Sequence, residues 1–237
     1  MKKWLGILVF MASMLAIAAG NEVTYKAADG LTVNADSQPA QGKSRGLIAL
    51  FHQADANRFE YEKIAPKLNA MGFATLAVDQ RSGGNMFGGT NKTAAQVKGA
   101  SYLDTLPDLQ ASVRYAKDTL KAKRILIWGS SYSSALVFLV AANDKDVAGV
   151  LAFSPDEYLA KPTMVRDAAK NVRVPVFITS TGSEADAAKQ ILMAIASTDK
   201  TQFIPKGIGT HGSSVLSNPL SQKEFWGAVE QFLNKFP

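Results

Sequence analysis

A serine-centred turn between two apolar runs places the strongest constraint on how this chain folds. The turn reads Gly129-Ser130-Ser131-Tyr132-Ser133. Residues 124–128 before it are typical of a buried parallel strand, and residues 134–142 after it are typical of a buried helix. A serine on such a turn has a strained backbone and an accessible hydroxyl, and the N–H groups of the following helix point towards it. The pattern therefore predicts that Ser131 is a nucleophile.

Strand and helix patterns alternate along the rest of the chain. Asp29-Gly30 between two extended runs predicts an antiparallel hairpin before this alternation begins. Strands are predicted at 46–51, 73–78, 124–128, 147–153, 175–179 and 202–204, and helices at 60–71, 107–121, 134–142, 162–170, 184–196 and 222–236. The alternation predicts the α/β class: one domain over residues 20–237, with a mostly parallel sheet covered by helices on both faces.

The first 19 residues have the pattern of a signal peptide. Lys2 and Lys3 precede an apolar stretch over residues 4–17, and small residues follow at Ala18 and Ala19. The stretch is shorter than the roughly 20 residues of a membrane-spanning helix, and no basic cluster follows it. We therefore expect residues 1–19 to be cleaved and the mature protein to be secreted or periplasmic. A retained membrane anchor is the alternative.

Composition restricts the chemistry that the chain can perform. The 237 residues include no cysteine and two histidines, and the net charge of +6 is spread along the sequence. The lack of cysteine excludes disulfides, a thiolate nucleophile and cysteine metal sites. Two distant histidines make a metal hydrolase improbable, and no cofactor is implied. The basic residues accompany no nucleic-acid motif, so we expect no nucleic-acid partner.

A serine nucleophile needs a base to remove its proton, and each of the two histidines is a candidate. His211 lies in the glycine-rich loop 207–214, between the last predicted strand and the last helix. This position predicts that His211 is the base. His52 directly follows the strand 46–51 and is predicted to be structural.

The base needs a carboxylate to orient it, and this acid should follow a strand between Ser131 and His211. Glu184 and Asp186 both follow the strand 175–179, and we prefer Glu184 because it is closer to the strand end. Asp186 is the alternative acid, and Asp156 is a weaker third candidate. Either Glu184 or Asp186 could instead be a favourable charge in the first turn of a helix.

Two backbone N–H groups are needed to stabilise the oxyanion formed at the carbonyl. One is predicted from Tyr132, the residue after the nucleophile. The other is predicted from Gln53, in the loop after the strand 46–51. A long glycine-rich segment, residues 80–102, should lie at the same edge of the sheet, either as a lid or as a surface insert.

These residues, in this order, resemble the α/β-hydrolase superfamily, in particular its small members related to dienelactone hydrolases. The resemblance covers nearly the whole chain after residue 19 and is carried by Phe51-His-Gln-Ala54 (oxyanion turn), residues 129–133 (nucleophile turn), Val174-Pro-Val-Phe-Ile178 (acid strand) and Gly209-Thr-His-Gly212 (histidine loop). There are three departures. Ser133 replaces the usual last glycine of the nucleophile turn, and the acid is not in the common Gly-x-x-Asp turn. The nucleophile is serine, whereas dienelactone hydrolases use cysteine, so their lactone substrate is not carried over.

The resemblance implies an exported serine hydrolase that cleaves small-molecule carboxylic esters or related acyl compounds through an acyl-enzyme. An exported peptidase of the same fold is an alternative, although no substrate-selecting domain accompanies this chain. A non-catalytic hydrolase fold that binds a ligand is the other alternative. A broken triad would indicate it, whereas all the triad candidates are present here.

Overall fold

The computed structural model describes residues 20–237, so the predicted signal peptide lies outside the described residues. Within them, one sheet is formed by eight strands: β1 (Asn21–Lys26), β2 (Thr32–Gln38), β3 (Gly46–Phe51), β4 (Phe73–Asp79), β5 (Ile125–Ser130), β6 (Val147–Phe153), β7 (Val176–Thr179) and β8 (Lys200–Phe203). Their order across the sheet is β1-β2-β4-β3-β5-β6-β7-β8. β2 is antiparallel to β1 and β4, and the other neighbouring pairs are parallel. The predicted fold class and hairpin are confirmed.

Helices connect the parallel strands, and one further helix follows the last strand. They are α1 (Ala65–Ala70), α2 (Leu106–Asp118), α3 (Tyr132–Ala141), α4 (Met164–Ala169), α5 (Ala185–Ala194) and α6 (Gln222–Leu233). Most predicted bounds are correct to within a few residues, but the helix predicted at 60–71 is not continuous. It is a 3₁₀ turn (Arg58–Tyr61) followed by the short α1. Pro66 has no N–H to donate and is tolerated only in a first turn, so α1 begins just before it.

Apolar side chains cover both faces of the sheet and form two cores. One core packs α2 to α5 against one face, and the other packs α1 and α6 against the opposite face. β5 shows the alternation, because Ile127 belongs to the first core and Trp128 to the second, where it stacks on Phe153 at 4.6 Å between ring centroids. With both faces covered, polar side chains gather at the carboxyl ends of the strands. No helix described within residues 20–237 is long and apolar enough to cross a bilayer.

Candidate active site

The nucleophile turn has the strained geometry that the sequence predicts. β5 ends at Ser130 and α3 begins at Tyr132, which leaves Ser131 alone between them with φ 57° and ψ −123°. A non-glycine residue in this region costs about 1–3 kcal/mol and persists only where the surroundings impose it. Gly129 is also required, because a Cβ there would lie 2.3 Å from the backbone oxygen of Ser133. Close packing of strand against helix therefore imposes the conformation of Ser131.

Ser133, which departs from the usual glycine of this turn, has a structural use. Its hydroxyl donates to the backbone oxygen of His52 at 2.6 Å and accepts from Gln80 Nε2 at 2.8 Å. The side chain is fully buried, so these bonds are shielded from water. They connect the start of α3 to the ends of β3 and β4.

The loop after β8 places His211 against Glu184. His211 Nδ1 lies 2.6 Å from Glu184 Oε1, while the other carboxylate oxygen accepts from Ser154 Oγ at 2.8 Å and from the Thr181 N–H at 3.0 Å. With Glu184 ionised, Nδ1 carries the proton and Nε2 is left as the basic nitrogen. Ser154 also accepts from the Gly212 N–H at 3.0 Å, so it joins the acid to the histidine loop.

The other two candidate acids do not reach His211. Asp186 is exposed on the surface of α5, beside Arg166 and Lys189. Asp156 is exposed in the loop after β6 and accepts from the N–H of the next residue at 2.7 Å. Of the three acids, the structure brings only Glu184 to the histidine.

The Glu184–His211 contact shifts the pKa of both groups. Burial opposes the Glu184 charge, but hydrogen bonds from His211, Ser154 and the Thr181 N–H outweigh it and lower the pKa of Glu184 to about 2. The hydrogen bond to Glu184 raises the pKa of His211 above its ordinary 6.5, against partial burial. The pair therefore holds the imidazole in place and favours its protonated form.

His52 has the opposite environment and is structural, as predicted. Its Nδ1–H donates to the Gln53 oxygen at 2.8 Å, and its Nε2 accepts from the Gln80 N–H at 3.0 Å. Burial lowers its pKa to about 4, so the ring is neutral near neutral pH. Both nitrogens are engaged by backbone groups, and neither is available as a general base.

These two environments predict distinct histidine titrations. Because the chain has two histidines, tag-free protein should give two sets of imidazole signals by proton NMR, one for each ring. We expect His211 to titrate above 6.5 and His52 to stay neutral until the pH approaches 4. His211→Ala should remove only the first titration. Two histidines that titrate together near the ordinary value would contradict the hydrogen bonds described above.

The histidine loop also contacts the nucleophile turn. The Ser213 N–H donates to Ser130 Oγ at 2.8 Å, and a Cβ on Gly212 would lie 2.6 Å from that oxygen. No hydrogen bond joins Ser131 Oγ to His211 in the part of the chain that the structure describes. Catalytic hydrogen bonds often form or shorten only in the substrate complex. The structure thus places the two residues on adjoining turns.

The predicted role of Gln53 does not fit the geometry. Its N–H donates to Glu60 Oε2 at 2.8 Å and is not free to bind an oxyanion. The next N–H along the chain, from Ala54, donates no hydrogen bond to any residue in the range 20–237. The Gln53 oxygen accepts from His52, and in a trans peptide the adjoining Ala54 N–H points the opposite way. Ala54, one residue later than predicted, carries the available donor.

The Tyr132 N–H is the other available donor, and its role at an oxyanion stays a prediction. Tyr132 is the first residue of α3, where a backbone N–H has no intrahelical acceptor. Its side chain is buried, donates to the Ser82 oxygen at 2.8 Å and stacks on Tyr102 at 4.4 Å. These contacts hold the first turn of α3 beside the loop that follows β4.

The glycine-rich segment 80–102 is attached to the site at several points. The Gly84 N–H donates to the Ala56 oxygen at 2.8 Å and the Met86 N–H to the Asp55 oxygen at 2.9 Å. Buried Asn91 donates to the Gln80 oxygen at 3.0 Å. The segment therefore packs on the loop after β3, while residues 85–90 are exposed. Its movement as a lid stays a prediction.

Sequence reasoning missed two polar residues of the site, Glu60 and Ser154. Ser154 directly follows β6 and has a positive φ of 54°. Its position at the end of a predicted strand is the sequence signal that could have indicated it as a site residue. Glu60 lies between Phe59 and Tyr61 in a stretch that resembles an amphipathic helix, so nothing local indicates that it is buried. Within residues 20–237, no group of three or more histidines and acids is arranged to hold a metal ion.

Comparison with known sequences finds one partial relative. No protein-family model matches the chain. It is 30% identical over 121 residues to the quorum-quenching protein AidA of Acinetobacter baumannii, an alignment that covers 50% of this chain and only 38% of that relative. The chain thus spans well under two thirds of the relative's length.

Solved structures of similar fold include esterases and other hydrolases. An esterase from Pyrococcus furiosus matches with a TM-score of 0.74 at 18% identity, covering 92% of each chain. A dienelactone hydrolase from Anabaena variabilis matches with a TM-score of 0.70 at 13% identity, covering 92% of this chain and 99% of that one. A cold-adapted esterase from an Arctic metagenomic library has a TM-score of 0.70 at 19% identity, covering 91% and 92%. The chain therefore has the α/β-hydrolase fold, in the form that dienelactone hydrolases and small esterases share.

Proposed function

We propose that this protein is a serine hydrolase that cleaves carboxylic esters or related acyl compounds. The observation that carries the proposal is the strained Ser131 on a turn that adjoins the Glu184–His211 pair. Ser131 Oγ attacks the carbonyl carbon, and His211 Nε2 takes the hydroxyl proton and passes it to the leaving alcohol. Glu184 keeps the imidazole in the required tautomer. The Ala54 and Tyr132 N–H groups stabilise the oxyanion, and water then releases the acid from the acyl-enzyme.

The surroundings of the turn support a substrate with an apolar acyl or alkyl group. Three large apolar side chains of the segment 80–102 are partly exposed: Met86 by 47%, Phe87 by 40% and Tyr102 by 36%. Tyr102 stacks on Tyr132, the residue after the nucleophile, so part of this apolar surface lies beside the reacting group. Structures of the same fold that are named esterases support the same substrate class.

A fluorophosphonate probe tests this function even while the natural substrate is unidentified. The probe phosphonylates an activated serine, so the wild-type protein should acquire one covalent label at Ser131. Ser131→Ala should acquire none. A folded wild-type protein that takes no label and hydrolyses no simple ester would overturn the proposal.

We also propose that the hydrolase is exported after cleavage of residues 1–19. The support is the sequence pattern of two lysines, an apolar stretch and small residues at the predicted cleavage site. Mass spectrometry of the protein purified from its native host should find an N-terminus next to Ala19 or Gly20. Full-length protein in the soluble cytosolic fraction would contradict export, and full-length protein in the membrane fraction would indicate a retained anchor.

A further inference from the structure

A buried glutamate that the proposed reaction does not use lies beneath the site. Glu60 is only 3% exposed. Its Oε2 accepts from the Gln53 N–H at 2.8 Å, and its Oε1 accepts from Ser130 Oγ at 2.7 Å. No lysine or arginine forms an ion pair with it among residues 20–237. A buried carboxyl usually needs a cation or several donors, and both donors here directly precede residues of the proposed site.

The hydrogen bonds continue from Glu60 into the histidine loop. Ser130 Oγ, which donates to Glu60, accepts from the Ser213 N–H at 2.8 Å. Ser213 Oγ in turn accepts from Trp128 Nε1 at 2.8 Å. The network thus links the oxyanion loop, the nucleophile turn and the histidine loop through one carboxylate. Its members are sequence neighbours of the reacting groups: Gln53 precedes Ala54, Ser130 precedes Ser131, and Ser213 is two residues after His211.

Glu60 works together with His52 to fix the oxyanion loop. The two peptide groups on either side of the Gln53 Cα are each held by a buried side chain. Glu60 accepts from the Gln53 N–H, and His52 donates to the Gln53 oxygen at 2.8 Å. With both peptide planes fixed, the direction of the Ala54 N–H is fixed as well. Donors held in place before the reaction stabilise an oxyanion without paying for reorganisation.

We propose that Glu60 is a positioning residue whose ionised carboxylate aligns the oxyanion loop with the nucleophile turn and the histidine loop. The inference rests on the proposed serine-hydrolase function and adds a residue to it. Glu60 touches neither the reacting atoms nor the substrate. It acts through the Gln53 backbone on one side and through Ser130 on the other.

The charge of Glu60 matters because an ionised carboxylate accepts from both donors at once. If Glu60 is protonated, one of its oxygens carries a hydrogen and becomes a donor. If that oxygen is the one facing Ser130, the Ser130 hydroxyl must donate to another acceptor. Burial raises the pKa of Glu60 to about 7, so this change falls in the neutral range. The titratable groups that face it are His211 and Tyr61, while Glu62 and Lys63 line the same cavity of about 380 Å³. The Glu60 charge also raises the pKa of His211.

Glu60→Gln tests the proposal with little change of shape. The amide oxygen can still accept from the Gln53 N–H and the amide nitrogen can donate to Ser130, while the charge is lost. We expect kcat for p-nitrophenyl acetate and the fluorophosphonate labelling rate to fall about 10–100-fold, with KM nearly unchanged. The acid limb of kcat/KM should move to lower pH, because His211 loses a nearby negative charge. Glu62→Gln, an exposed acid in the same cavity, should match the wild type.

The possible failures can be told apart. If Glu60→Gln folds and matches the wild type in kcat, labelling rate and pH profile, Glu60 is only a structural residue and the inference is wrong. If thermal unfolding shows that Glu60→Gln does not fold, Ser130→Ala takes its place, because it breaks the network at the other end. A kcat of Ser130→Ala equal to that of the wild type would also overturn the inference. A wild-type protein that takes no label would overturn the serine-hydrolase function itself.

Discussion

Ser131→Ala is expected to lower kcat for ester hydrolysis by about 10⁴-fold or more, because no other hydroxyl can form the acyl-enzyme. Alanine keeps the Cβ of Ser131, so the backbone strain at φ 57° is the same in both proteins. The free energy of unfolding should therefore change little. Steady-state kinetics on p-nitrophenyl acetate and urea unfolding measure the two effects separately.

Three further serine variants control this result. Ser183→Ala removes an exposed hydroxyl near the acid and should leave turnover unchanged. Ser130→Ala breaks a buried hydrogen bond to Glu60 and should give an intermediate loss, with Ser131 still labelled. Ser131→Gly should be as inactive as Ser131→Ala but more stable by about 1 kcal/mol, since glycine adopts positive φ without strain. Equal losses in Ser130→Ala and Ser131→Ala would mean that the nucleophile is misassigned.

The parts of the site that the sequence predicts are those set by local geometry. The nucleophile turn depends on one strand, one turn and one helix that follow each other directly, and the structure has this turn at Ser131. The sequence favours Glu184 over Asp186 because Glu184 is closer to the end of β7, and that proximity places it against His211. A strand end followed by a polar residue is a signal that a single sequence contains.

The parts that the sequence did not predict depend on contacts between distant segments. We propose Ala54 as the oxyanion donor in place of Gln53, because Glu60, seven residues later and in another turn, binds the Gln53 N–H. Ser133 departs from the usual glycine of the turn, but its hydroxyl binds the His52 oxygen 81 residues away. No periodicity indicates such pairs, since each depends on which side chains the sheet order brings together.

Glu184→Gln should be the most damaging change outside Ser131 and His211, and the hydrogen bonds of the carboxylate explain why. One oxygen faces His211, while the other accepts from Ser154 Oγ and the Thr181 N–H. The glutamine amide has only one accepting oxygen. The two donors Ser154 Oγ and the Thr181 N–H both lie on the side away from His211 and favour the oxygen on that side. If that oxygen satisfies Ser154 and Thr181, the amide nitrogen donates to His211 Nδ1, and the imidazole proton moves to Nε2.

The wrong tautomer cannot accept the proton of Ser131, so Glu184→Gln should lose up to about 10⁴-fold in kcat with KM little changed. The pKa of His211, read by NMR, should fall as well, because its raised value depends first on the bond to Glu184. Asp186→Asn is the matched control: this acid is exposed on α5 and contributes at most about 0.3–1 kcal/mol to the helix, with no effect specific to turnover. If Asp186→Asn is the inactive variant, the two roles exchange and the fold is unaffected. If both variants turn over at the wild-type rate, the acid lies elsewhere, with Asp156 next to be tested, and the Ser131–His211–Glu184 triad is wrong.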